Sequence, residues 1–335
     1  MIIAINLVFL LFLSWWFSKH TSPFKTHWYW IGISMRVAAG LVLGSIYLNH
    51  IQSGDTLAYF QQAQDISSLT SHSIVSFIKR LFTNEFPPYK GEYRAEFFSK
   101  ILSFFLILTE DNYWLSSVYL SLISFLGGWL LVRSFVELNE NNRWPAYISF
   151  LLIPSVVFWS SGILKDGLAN ACFFYLSTFL IRYYHQRPIS LLEHLIYAIS
   201  LIFLIKLRFY LGAFMIIGIA LVIFNRFIVN HISRSSIKFM IYAVFILGVL
   251  FGVSFIDYNL QFNHLPQSIY LNYQAILQSS GELNVLHFDI SPNWFSIIKN
   301  LPKSFIYGLF GPFPGQDLRH PSLTGSKTVC FLSSF

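Results

Sequence analysis

Five ionisable residues sit where a largely apolar chain has least use for charge. Asp55 follows the second long apolar run, Lys165 and Asp166 fall between two later runs, and Lys206 and Arg208 interrupt another. An ionised side chain in hydrocarbon costs a few kcal/mol or more unless it is paired, snorkels to the surface or works. As chemistry, Asp55 could take the proton of an acceptor hydroxyl as a general base. Lys165 could neutralise a phosphate, with Asp166 orienting it, while Lys206 and Arg208 form a clamp. Arg208 is the stronger clamp residue, because its planar fork can hold two oxygens at once. Each residue also has a plainer reading. Gly54 permits a sharp turn, after which Asp55 could cap a helix running through Ala58 to Gln64. Lys165 and Asp166 could be a local ion pair marking a hairpin, and both Lys206 and Arg208 could snorkel outward.

The elements that must position these residues follow from composition. The chain is 55% hydrophobic, 19% aromatic and only 11% charged, with a mean hydropathy of +0.57. A water-soluble domain carries about 25% charged residues, so this chain cannot cover a wetted surface. Its apolar runs are close to the length that crosses a bilayer as a helix, the conformation that satisfies its own backbone there. The expected fold is all-α, a polytopic transmembrane bundle of about eight spans near residues 2–17, 28–48, 114–136, 146–163, 167–183, 190–206, 209–224 and 239–256. The shorter run 97–109 reads as a re-entrant or interfacial helix. Residues 1–256 form the membrane domain, with an outer loop at 49–113. Residues 257–335 form an outward-facing segment that ends without a recognisable last element, as in a truncated product. Met1 to Phe17 lacks the basic start and the cleavage site of a signal peptide, so it reads as a retained first helix.

Basic residues orient the bundle. Lys19, Lys25, Arg143, Arg182, Arg187, Arg226, Arg234 and Lys238 fall in short loops on one side of the eight-helix count, which makes that side cytoplasmic. Asp55, Lys165, Asp166, Lys206 and Arg208 then share the outer side. Arg36, inside the second span, is expected to snorkel toward the cytoplasmic face. Tyr59 follows Asp55 by one helical turn, and Arg94 lies in a stretch, Tyr89 to Glu96, that mixes aromatics with charge as sugar-binding surfaces do. Trp159, Ser160 and Ser161 are expected to line the approach.

The net charge of +7 is spread over loops rather than gathered in a stripe, so nucleic acid is not an expected partner. There is no Walker loop, no GxGxxG after a strand, no GxSxG elbow and no paired-histidine spacing, so no cofactor or metal is expected. The two cysteines, Cys172 and Cys330, have no metal-binding spacing.

The order of these features resembles that of polytopic bacterial envelope-glycan proteins, the membrane glycosyltransferases of the C superfamily (GT-C) and their O-antigen polymerase-like relatives. The likeness rests on Gly54-Asp55 with Tyr59 after an early span, on FWSSGILKDG ending at Gly167, and on Arg208-Phe209-Tyr210 opening a helix. A fourth element, Gly311-Pro312-Phe313-Pro314-Gly315, is similar to an Arg-Pro-Phe-Pro-Trp-Glu element with glycines in place of the Arg and Trp. The resemblance implies a polyprenyl-phosphate-linked sugar donor, Asp55 as base, and Lys165 and Arg208 on the donor phosphate, in a bacterial inner membrane. The polymerase and ligase relatives imply instead a pyrophosphate-linked glycan gripped by arginine, which promotes Arg208 over Asp55. A transporter or flippase passing an anionic lipid is a third reading of the same cations.

Overall fold

The computed structural model describes residues 2–21, 26–52, 54–68, 75, 78, 93–227, 235–253, 263–280 and 288–310. All regular structure among them is helical, and the chain packs as two units, Met1–Asn230 and His231–Phe335. The first unit opens with α1 (Ile2–Thr21) and α2 (Thr26–Ile46), which a π turn (Tyr47–Ile51) prolongs. Next come α3 (Asp55–Ser68), α4 (Tyr93–Thr109) and α5 (Tyr113–Leu138). A broken helix follows, made of α6 (Arg143–Tyr147), a π turn (Ile148–Leu152) and α7 (Pro154–Trp159). Then come α8 (Lys165–Tyr184), α9 (Leu191–Leu207) and α10 (Phe209–Phe227). The second unit holds α11 (Ser235–Val253), α12 (Leu265–Ser280) and α13 (Trp294–Phe310).

Among the described residues, four helices are long and apolar enough to cross a membrane: Ile2–Thr21, His27–Ile51, Tyr113–Leu138 and Phe209–Arg226. α11 carries a shorter apolar stretch, Ser236–Gly248. On α1, Val8, Leu11 and Phe12 are 67%, 60% and 59% exposed. Each such side chain left in water forgoes about 1.5–3 kcal/mol of burial, so lipid is the solvent these faces fit. The chain is an all-helical membrane protein.

Of the four, α5 is the most buried, and it packs through small residues and hydroxyls as membrane helices do. A side chain at Gly127 would meet the Ala171 carbonyl of α8 at 2.7 Å, so the two helices touch at their backbones. At one end, rings from α2, α5 and α6 interlock around Tyr29, whose ring centroid lies 5.0 Å from those of both Phe125 and Trp129. A second core gathers Tyr59, Phe98, Leu106, Ile163, Leu168 and Leu207 from α3, α4, α8, α9 and the bend before α8.

Residues 49–113, expected as an outer loop, contribute α3 and α4. Tyr59 meets Phe98 edge-on at 5.2 Å, and the Ser99 hydroxyl donates to Gln62 Oε1 at 2.9 Å. α4 starts a turn earlier than its apolar run because Glu96 and Lys100 pair at 2.9 Å, both buried.

The segment expected as one span over 146–163 with a turn at 164–166 is built differently. Pro154 has no N–H for the carbonyl of Phe150, four residues earlier. Arg36 takes that place, with Nη2 donating to Phe150 O at 3.2 Å and Nη1 donating to Val156 O at 3.2 Å and to the Ser160 hydroxyl. Arg36 is 1% exposed, so it does not snorkel; backbone carbonyls solvate it inside the bundle. After Trp159 the helix stops. Ser160 and Ser161 turn their hydroxyls back onto the carbonyls of Val156 and Val157, and Gly162 adopts φ +72°, which favours glycine. Its N–H donates to the Ser121 hydroxyl at 2.9 Å. Ser160 and Ser161 are therefore buried parts of the bend rather than the lining of an approach. The irregular stretch survives because it is buried in protein.

This bonding predicts a coupling. Arg36→Met should lower the unfolding free energy in detergent by about 1–3 kcal/mol, the cost of an unbonded buried carbonyl. In a Pro154→Ala background, where Phe150 O regains a backbone donor, the loss should shrink by about 1 kcal/mol. Denaturation midpoints of the four proteins in the cycle measure it.

Candidate functional site

Three helices begin at one place. Gly54, at φ +110°, turns the chain into α3, its carbonyl accepting from Ala58 N–H at 3.2 Å, and Asp55 is the first helical residue. The Asp55 carboxylate is exposed and accepts the Tyr59 phenol hydroxyl at 3.2 Å. Tyr59 is 1% exposed and anchored in the second core. Over its ring, 5.7 Å from the centroid, lies the ammonium of Lys165, the first residue of α8. One phenol thus joins the acid of α3 to a cation of α8.

Asp166 turns the other way. Arg208 grips it with two parallel bonds, Nε to Oδ1 at 2.5 Å and Nη2 to Oδ2 at 2.7 Å. Arg208 is the single residue between α9 and α10. A Cβ at Gly212 would lie 2.5 Å from Ile205 Cγ1, so this hairpin closes as it does because residue 212 has no side chain. Partial burial alone would lower the Arg208 pKa; the hydrogen bonds and charge of Asp166 outweigh it and leave it raised. Asp166 thus pairs with Arg208, and Lys165 lies over the Tyr59 face.

Comparison of the chain with family models, with curated proteins and with solved structures gives no match. The chemistry must be read from the geometry.

Asp55, Tyr59, Lys165, Asp166 and Arg208 converge. Lys206 is exposed in the last turn of α9. Arg94 lies in the first turn of α4, and its side chain is outside the described residues, as is the stretch 311–315. Among the described residues, no group of three His, Cys, Asp or Glu side chains could hold a metal ion. The arrangement suits an anion. Lys165 is 9% exposed, so its charge is only lightly screened by water. First-turn N–H groups of α8 and α10 are partly occupied, Gly167 donating to Leu164 O at 3.1 Å and Leu211 to Arg208 O at 3.0 Å. Helix C-termini end in the same turns and offset the dipoles, so the two cations count for more.

The buried Glu96–Lys100 pair of α4 is the feature that sequence reading missed. It was visible as an acid–base spacing of four, the spacing of neighbours on one helix face.

The fork of Arg208 is occupied by a half-exposed carboxylate, which sets an expectation. Asp166→Asn should change stability by no more than about 1 kcal/mol, because partly exposed pairs contribute little. It should tighten binding of inorganic phosphate by roughly tenfold, since the competing negative charge is gone. Thermal unfolding and calorimetric titration of the purified protein check the two halves.

Proposed function

We propose that this protein is a membrane-embedded glycosyltransferase of about eight spans, acting at the outer face of a bacterial inner membrane. Its donor is a polyprenyl-phosphate-linked sugar, used in cell-envelope polysaccharide synthesis. One observation carries the reading: a single phenol, Tyr59, bonds an exposed carboxylate on one side and lies under a largely buried ammonium on the other. A base that must meet a hydroxyl from water and a cation that must meet a lipid phosphate need that separation of environments.

In this reading Asp55 removes the proton of the acceptor hydroxyl as its oxygen attacks the anomeric carbon. The bond from that carbon to the phosphate oxygen breaks, and the polyprenyl phosphate leaves with one more negative charge. Lys165 and Arg208 stabilise that charge as it develops. Asp166 holds the guanidinium plane by its Nε and Nη2 edge, so Arg208 meets the phosphate with its remaining donors. Tyr59 keeps the base at a fixed height above the cation. Exposure of Asp55 supports transfer over the polymerase or ligase reading, in which a pyrophosphate-gripping arginine dominates and Asp55 is dispensable.

Proteoliposomes loaded with a polyprenyl-phosphate sugar and an acceptor glycan test the assignment. Asp55→Asn should reduce transfer at least a hundredfold, within the range general bases supply, while leaving polyprenyl-phosphate binding intact. Unchanged transfer would favour the polymerase or ligase. Movement of intact donor lipid across the bilayer without transfer would make the protein a flippase. Tyr59→Phe keeps the ring under Lys165 and removes the hydroxyl from Asp55. It should lower kcat by roughly tenfold, about one hydrogen bond's worth, at unchanged donor affinity.

A further inference from the structure

Helix α13 is inside out for water. Its polar side chains face protein: the Ser296 hydroxyl donates to Asp289 O at 3.1 Å, Asn300 Nδ2 donates to the same carbonyl at 3.1 Å, and the Lys303 ammonium lies 5.0 Å from the Phe288 ring centroid. The segment they grip is itself fixed to α12, where Tyr273 Oη accepts the N–H of Phe288 at 2.7 Å. On the opposite face, Phe295, Ile298, Leu301 and Phe305 are 80%, 62%, 56% and 62% exposed. Their spacing of three, three and four residues makes a continuous apolar stripe along one side of the helix.

Two features say what covers that stripe. Lys299 and Lys303 are the helix's charged residues, with no acid among its seventeen. One helical turn apart, both are exposed on the polar side of the helix, where long side chains can reach outward. A span would place both ammonium groups midway through the hydrocarbon, which is costly. Pro302 points the same way: it offers no N–H to the carbonyl of Ile298, an omission that water in the headgroup layer can make good and lipid tails cannot. Within the same unit, α11 carries the apolar stretch Ser236–Gly248, which suits a membrane-held neighbour.

We infer that α13 is an interfacial helix that lies in the surface of the bilayer, its Phe295–Phe305 stripe among the upper acyl chains and Lys299 and Lys303 on anionic headgroups. An amphipathic helix with cations on its polar face binds by apolar area plus attraction to acidic lipid. The partner is the lipid surface itself, independent of the activity proposed above.

The test uses the full chain with Cys330→Ser, leaving the buried Cys172 in place. Single cysteines at 298, 301, 305, 300 and 304 are spin-labelled and reconstituted in phosphatidylcholine vesicles with or without 30% phosphatidylglycerol, about the anionic content of a bacterial membrane. In the anionic vesicles, the ratio of oxygen to nickel-chelate accessibility at 298, 301 and 305 should exceed that at 300 and 304 by roughly tenfold. Lys299→Gln with Lys303→Gln should abolish the extra depth gained from phosphatidylglycerol. Nickel access at every position would overturn the inference in favour of a helix in water. Shielding of the stripe from both reagents would overturn it in favour of a protein partner or a second copy. Equal depth in the two vesicle types would overturn the role given to the lysines.

Discussion

A guanidinium at 1% exposure among apolar helices persists only where it replaces bonds the backbone has lost. Arg36 does this for the carbonyls of Phe150 and Val156. The loss begins with Pro154, and the π turn at Ile148–Leu152 places it where α2 can reach. With those carbonyls bonded, the chain can leave helix at Trp159 and restart at Lys165 without exposing polar backbone to hydrocarbon. The start of α8 is thereby held beside α2 and α5, and Lys165 and Asp166 inherit their positions from it.

The same constraint explains why the bend is rich in serine and glycine. In water, a turn can leave carbonyls to solvent; inside a bundle, each one needs a donor from the protein. Ser160 and Ser161 return hydroxyls to the preceding turn, and Ser121 of α5 accepts the Gly162 N–H. Gly40 and Gly162 let α2 approach, since a Cβ at 40 would lie 2.9 Å from Gly162 N. Gly167 lets α8 fold back, since a Cβ there would lie 2.9 Å from the Ser160 carbonyl. The FWSSGILKDG stretch is a buried structural bend up to Leu164, and the proposed chemistry falls only on Lys165 and Asp166.

Much of this was legible in the sequence, and the remainder had physical reasons to stay hidden. Apolar runs marked the helices because each must satisfy its own backbone, and the misplaced charges marked the cluster because each needs compensation. Pairings across the bundle leave no local trace: Asp166 and Arg208 are 42 residues apart, and nothing in either neighbourhood names the other. Arg36 looked like a snorkelling residue because its partners are carbonyls, which no sequence pattern displays. Within 49–113 the apolar run 97–109 was legible as a short helix, and charge hid its first turn. In α4 that charge is the Glu96–Lys100 pair, buried and mutually neutralised.

In the proposed reading, the pairing of Arg208 with Asp166 sets how a phosphate would meet the cluster. A partly exposed ion pair is worth about 0–1 kcal/mol, while a phosphate offers more oxygens and more charge than one carboxylate. Asp166 would therefore hold the plane of the guanidinium while competing with the incoming anion. Lys165 lies over the face of Tyr59, and the same phenol donates to Asp55. A shift of the Lys165 ammonium would therefore be felt at the Asp55 carboxylate through a single buried ring.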